Sequence, residues 1–258
     1  MSATTPLATP PLATTLRDRA ILRVGGAEAR PFLQGLLTQD VLSLQPGAPR
    51  YAGLLTPQGK ALYDMLLWAD PAGGEDVLID CEASRVEALA RRLTLYRLRR
   101  PVTIGIEEGL AAHWSADPVD GASTDPRLAA LGWRWLAPAG EDDASDMYRA
   151  HRLAQGVAEG VAELGEDKTL WLECNAEELH GVDYGKGCYV GQENTARMHY
   201  RNKVNRRLVV VPLDRSDPAR LRIAYPALGL AVDHRPVDSL EGLTLPDWQA
   251  DALAEDAE

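Results

Sequence analysis

Lys186-Gly-Cys-Tyr-Val-Gly-Gln-Glu193 is the stretch on which the reading of this chain turns. It places a thiol, a cation, two glycines and two polar hydrogen-bonding side chains in eight positions. A basic run follows at once, with Arg197, Arg201, Lys203, Arg206 and Arg207 and no carboxylate between Asn194 and Leu213. The chain as a whole has a formal net charge of −11, so this local chemistry stands against its background. Cys188 reads two ways. It is either a small buried residue in a glycine-flanked turn or a reactive thiol whose pKa is lowered by Lys186 and the arginines beyond. Gly187 and Gly191 suit a loop that needs positive φ or a close backbone approach. They form no dinucleotide fingerprint, because no GxGxxG opens a helix after a strand. Gln192 and Glu193 either hydrogen-bond a heterocycle such as a pterin or simply begin a helix, where an acidic residue complements the dipole.

Outward from that stretch, the pattern alternates strands and short helices. Arg19–Val24 is a predicted strand, Ala27–Gln34 a helix, and Tyr51–Leu55 with Ala61–Trp68 a hairpin about Thr56-Pro-Gln-Gly59. Asp76–Cys81 is a third strand. A helix starts near Ser84, with Ser84 and Glu87 at capping-box spacing, and Pro101 forbids its continuation past the cations Arg97, Arg99 and Arg100. Val102–Ile106, Ala111–Ser115, Gly132–Ala137, Arg207–Leu213 and one or two strands in Leu221–Val232 complete the strands, and Ser145–Gln155 is a further helix. This order predicts an α+β fold with helices against antiparallel sheet rather than a doubly wound parallel one. The segments divide as a disordered leader over 1–15, an α+β region over 16–204, a C-terminal β segment over 205–250 and an acidic tail over 251–258.

Composition bounds the function. The 258 residues suffice for a substantial core, and 45% hydrophobic with 25% charged residues is ordinary for a globular chain. No apolar run approaches a membrane span, which predicts no membrane partner. The leader lacks basic residues, and three cysteines without a CxxC pair argue against a disulfide framework; both point to a reducing cytoplasm. Cys174, His180, Cys188 and His199 match no zinc spacing, and three thiols are too few for a chain-bound iron–sulfur cluster, so no metal site is assigned. Asp64, in an apolar strand, either faces solvent or sits in a cavity with a raised pKa.

These motifs resemble the YgfZ family, folate-binding proteins related to the T-protein (aminomethyltransferase) of the glycine cleavage system. Besides Lys186–Glu193, Arg197 and Arg206-Arg207, the similar segments are Phe32-Leu-Gln-Gly-Leu-Leu-Thr-Gln-Asp-Val41, Leu55-Thr-Pro-Gln-Gly-Lys60 with Asp64, and Arg152-Leu-Ala-Gln-Gly156. The resemblance implies a ring of ferredoxin-like antiparallel-sheet modules around a central hole, with a C-terminal β-barrel that is shortened here. It implies tetrahydrofolate or a derivative in that hole, held by Asp64, Arg152, Gln192, Glu193, Arg197 and Lys186, with Cys188 as the catalytic or cluster-sensitive group facing it. The function implied is assembly or repair of iron–sulfur clusters in client enzymes, linked to a tRNA modification. T-protein-like enzymes carry adjacent aspartates where this chain has Tyr63-Asp64, so Tyr63 stands in place of a catalytic acid. Two alternatives stay open: a tetrahydrofolate-dependent aminomethyltransferase or demethylase with Asp64 as base, and a non-catalytic RNA-contacting module using Arg197–Arg207. The net charge sets nucleic acid last among direct ligands.

Overall fold

The computed structural model describes residues 13–201 and 204–255. Its first seven elements are β1 (Arg19–Gly25), α1 (Ala29–Gln34), β2 (Arg50–Leu55), β3 (Ala61–Ala69), β4 (Val77–Glu82), α2 (Val86–Arg97) and β5 (Thr103–Ile106). They build a five-stranded antiparallel sheet in the order β2-β3-β4-β1-β5. Every residue of the interior strand β3 is buried, because both faces of the sheet are covered. One face carries Leu22, Val24, Leu54, Met65 and Leu67 against Phe32 and Leu33 of α1 and Leu89 and Leu93 of α2. The opposite face carries Ile21, Tyr51, Leu66 and Trp68 against Trp114 and Trp171 from later in the chain. Period-2 alternation therefore sends two sets of side chains into two different cores.

A second sheet, β6 (Ala111–Ser115), β7 (Ser123–Thr124) and β8 (Trp133–Ala137), runs in the order β6-β8-β7. Helices α3 (Ser145–Ala154), α4 (Val161–Leu164) and α5 (Gln192–Arg201) follow. A third sheet of β9 (Arg206–Pro212), β10 (Leu221–Tyr225) and β11 (Leu230–Pro236), in the order β10-β11-β9, is followed by α6 (Asp247–Glu255). This third sheet stands where the sequence predicts a shortened barrel. Helix α6 ties it back to the body: the Trp248 indole donates to the Gln155 carbonyl at 3.0 Å, and the buried Gln249 amide donates to the Leu208 carbonyl at 2.9 Å.

Four local expectations change. The Ser84 hydroxyl bonds the Glu82 carboxylate at 2.6 Å within a 3-10 turn, so the capping box does not form and α2 starts two residues later. Thr14 and Thr15, read with the leader, are built into the fold: the Thr15 N–H donates to Asp142 at 2.9 Å and its backbone bridges to His113. Residues 1–12 lie outside the described residues. Asp251–Glu255, read as acidic tail, belong to α6. The basic run after Asn194 is neither one strand nor one surface. Arg197 and Arg201 are on α5, Arg206 begins β9, and Arg207 is buried in an ion pair with Glu178; Lys203 lies outside the described residues.

Candidate functional site

Two constellations hold most of the polar chemistry. The inner one forms where the first and second sheets meet α3 and the 157–163 segment. Arg19 and Asp80 project from neighbouring strands, and their side chains pair at 2.6 Å. Arg134 of β8 reaches the other Asp80 oxygen at 2.5 Å, and Arg127 pairs with Asp125 at 2.7 Å and Glu159 at 2.6 Å. Tyr148 donates to Glu159 at 2.9 Å. Arg152 of α3 holds both Glu163 oxygens at 2.8 Å, and Tyr225 donates to the same carboxylate at 2.6 Å. Buried charges persist only when paired and hydrogen-bonded, and these four arginines are all paired.

Asp64 sits beside this network, 5% exposed, and accepts the Gly160 N–H at 3.2 Å. Burial pushes its carboxyl up to about 6, with the neighbouring Glu159 charge adding to the rise and Arg19 and Arg127 opposing it. Glu159 moves the other way, held well below the usual carboxylate range by Arg19, Arg127 and Arg152 against the effect of burial. The buried alternative for Asp64 is thus the one adopted.

An open cleft of about 530 Å³ lies over the network, lined by Arg19, Arg149, Arg152, Glu159, Glu163 and Tyr225 among others. Of the residues to which the resemblance assigns folate, Arg152 alone lines this cleft. Arg152 is paired with Glu163, Arg19 with Asp80 and Glu159, and Arg149 with Asp18 and Asp146, so each guanidinium of the cleft lining has a carboxylate partner, while the buried Arg152 Nε has no hydrogen-bond partner. Asp64 opens not into this cleft but into a separate space of about 10 Å³, shared with Tyr63, Cys81 and Arg85. Tyr63 points to the helix-covered face, with the Arg85 guanidinium 5.2 Å from its ring centre. Lys186, Gln192, Glu193, Arg197 and Cys188 do not line the cleft at all. The expectation that Cys188 faces the same cavity as Asp64 and Arg152 is therefore corrected: alternation along β3 turns Asp64 inward, while the Cys188 loop packs at the α1 end and the hairpin turn.

That loop is the second constellation. The Gln34 amide donates to the Lys186 carbonyl at 3.0 Å, and the Lys186 ammonium returns a bond to the Gln34 carbonyl at the end of α1. Upstream, the Asp183 N–H donates to Thr38 at 2.9 Å and the Thr38 hydroxyl to Gly181 at 2.6 Å. Downstream, Gly191 has φ +86 and lies so close to the hairpin turn that a Cβ would stand 2.6 Å from the Thr56 carbonyl oxygen. Only glycine meets both demands. The Asn194 amide then clamps the same turn, donating to Gln58 at 2.8 Å.

Between these clamps Tyr189 is buried, and Gly187 and Cys188 are left exposed. Lys186 stands 4.8 Å over the Tyr189 ring, and burial lowers its ammonium to about 8 against the raising effect of Asp40, Asp183 and Cys188. Cys81 and Cys174 are buried, and burial pushes the Cys81 thiol up to about 12. Cys188 is therefore the single exposed thiol of the chain. Beside the loop, Tyr184 and His199 stack at 3.8 Å, both bonded to Glu177, and Tyr200 stands 70% exposed.

The sequence reading missed this aromatic platform and the buried arginine network; the helix start at Gln192 and Glu193, one of its two alternatives, is the first turn of α5. A signal for the network was present: Asp80 interrupts the apolar strand Val77–Cys81 just as Asp64 interrupts its own. Among the described residues no group of three or more His, Cys, Asp or Glu could hold a metal ion.

No family model matches the chain. Among solved structures, glycine cleavage system aminomethyltransferase T from Bartonella henselae superposes with a TM-score of 0.61 over 87% of this chain and 78% of that one, at 15% identity. That likeness establishes the fold alone. Among curated proteins, the mitochondrial iron–sulfur cluster assembly factor IBA57 of Mus musculus is 35% identical over 240 residues, covering 79% of this chain and 67% of its own length. The Homo sapiens protein of the same name is 37% identical over 231 residues, covering 76% and 65%. The alignments thus span about two thirds of each relative.

The mitochondrial designation of these relatives overturns the cytoplasmic expectation, which rested on unpaired cysteines and a leader without basic residues. Free thiols report a reducing environment without saying which compartment supplies it. With the T-protein-like fold, the Gly-Cys loop and these alignments in hand, the chain belongs to the IBA57 family, relatives of the YgfZ proteins.

Proposed function

We propose that this protein assists iron–sulfur cluster assembly by lending one thiolate, Cys188, to a cluster whose other ligands come from a partner. The observation that carries the reading is the isolation of Cys188: one exposed thiol, on a loop clamped at both ends, beside a cation. A cluster ordinarily takes four thiolates, and the other two cysteines are sealed in the core. A lone ligand on a rigid loop suits transfer rather than storage, since its bond is readily exchanged. Coordination requires the thiolate, so Cys188 releases its proton as the bond to iron forms, and Lys186 stabilises the charge that develops. The cluster is cargo in this reading, and enzymes that carry such clusters are the clients. The names of the IBA57 relatives support it.

Tetrahydrofolate is not part of the reading, because the cleft it would enter has its guanidiniums already paired. Aminomethyl transfer is disfavoured for a related reason: Tyr63 faces the helices and Asp64 is closed off from the cleft. The test is anaerobic reconstitution with ferrous iron, sulfide and glutathione as the source of the remaining thiolates. Protein-bound visible absorption is expected for the wild type and for Cys81→Ser, and is lost in Cys188→Ser. Equal cluster incorporation by Cys188→Ser overturns the proposal.

A further inference from the structure

The end of α2 carries a surface that neither constellation uses. From Ala88 to Ile106 the chain holds Arg91, Arg92, Arg97, Arg99 and Arg100 and not one carboxylate, within a protein of net charge −11. Most arginines of the first sheet are tied to carboxylates, as Arg19, Arg23, Arg50 and Arg85 are. Here Arg92 and Arg99 have no hydrogen bond or ion pair among the described residues. Arg97 donates only to the Val102 carbonyl at 3.2 Å, and Arg100 comes no nearer than 3.9 Å to Glu28. Arg91 meets Glu87 in a fully solvated pair one turn away.

Two leucines stand among these charges. Leu95 is 77% exposed and Leu98 83% exposed, three residues apart at the helix end. Leu98 takes φ +53 as the chain leaves α2. Glycine adopts such a backbone without cost, whereas a leucine there is strained and also presents apolar surface to water. Neither the fold nor solvation accounts for it.

We propose that this end of the molecule docks on an anionic lipid surface, with Leu95 and Leu98 entering the acyl boundary and Arg92, Arg97, Arg99 and Arg100 lying on phosphates. The leucines project into solvent rather than line a groove, which suits a bilayer that accepts protruding aliphatic groups without a matching pocket. Exposed arginines with no close carboxylate partner suit phosphates, and the acidic remainder of the surface is repelled by the same lipids, so the protein approaches by this end. No helix of the described residues is long and apolar enough to span a membrane, so the contact is peripheral.

The test is co-sedimentation of the full chain with phosphatidylcholine vesicles, with and without phosphatidylglycerol. Binding is expected only to the anionic vesicles, weakening steeply with salt. Arg99→Glu with Arg100→Glu, and separately Leu95→Gln with Leu98→Gln, should each weaken binding at least about tenfold. Leu98→Gly should raise Tm while lowering binding, a pairing that a purely structural leucine would not give. Absence of binding at low salt, or binding untouched by these substitutions, each overturns the proposal. Cys188→Ser should bind vesicles like wild type, so this surface stands or falls apart from the cluster reading.

Discussion

The buried network at the sheet junction and the loop of Cys188 are both charged, yet they solve opposite problems. In the network Arg19, Arg127, Arg134 and Arg152 are almost wholly removed from water, and Asp80, Asp125, Glu159 and Glu163 answer them at hydrogen-bond distance. In the loop the backbone is fixed by Gln34, Thr38 and Asn194, while the thiol at its tip is left free. Within the network burial pushes the Asp64 carboxyl up while the surrounding arginines hold Glu159 down, and these perturbations accompany structural pairing. Perturbation alone is a probabilistic guide to function; access to a partner is what separates the two regions.

The comparison breaks first at Glu159, which two arginines and a tyrosine share. Glu159→Ala leaves Arg19 and Arg127 without their common partner and should cost about 3–5 kcal/mol, read by urea unfolding. A cost near zero would remove the structural account of the network. Next comes Gly191→Ala, which meets both the positive φ and the Thr56 carbonyl oxygen and should destabilise by roughly 3 kcal/mol while disordering the motif. Unchanged stability there would mean the loop is not clamped as described.

Asp64→Asn should have the opposite sign. Its folded pKa is raised from 3.8 to about 6, so the native state binds this proton more tightly than the unfolded chain does. The stability tied to that proton is full below about pH 4 and lost as pH rises through 6. An asparagine accepts the Gly160 N–H without the charge, so at pH 7 the variant should be more stable by about 2 kcal/mol, with the gain vanishing near pH 4. Equal stability of the two proteins from pH 4 to 7 would sink this reading. Smallest of all should be the stability effect of Cys188→Ser, within about 0.5 kcal/mol as for an exposed site, although cluster incorporation is lost.

Much of the architecture was legible in the sequence, and for local reasons. The hairpin about Thr56–Gly59, the stop at Pro101 and the apolar strands β1, β3 and β9 depend on backbone preferences and on which side chains avoid water. The helix α5 was legible only as one of two readings of Gln192 and Glu193, because its first turn is polar and its basic end reads equally as turn or strand. The cysteine motif was legible as a special loop, but its neighbours were not. Sequence proximity put Lys186 beside Cys188 correctly, whereas likeness of motifs put Arg152 and Asp64 there and they are elsewhere.

What the sequence by itself determined is the α+β order, a glycine-flanked thiol in a special loop, and the acidic balance broken by two basic runs. What only the tertiary structure decided is which charges face one another. Arg152 meets Glu163 through a turn, Arg19 meets Asp80 across neighbouring strands, and Arg127 meets Glu159 across the junction. Pairing of that kind depends on distances of a few ångströms between segments far apart in the chain, and residue order does not encode them locally. It is this pairing that fills the middle of the molecule and leaves Cys188, at the edge, as the group free to react.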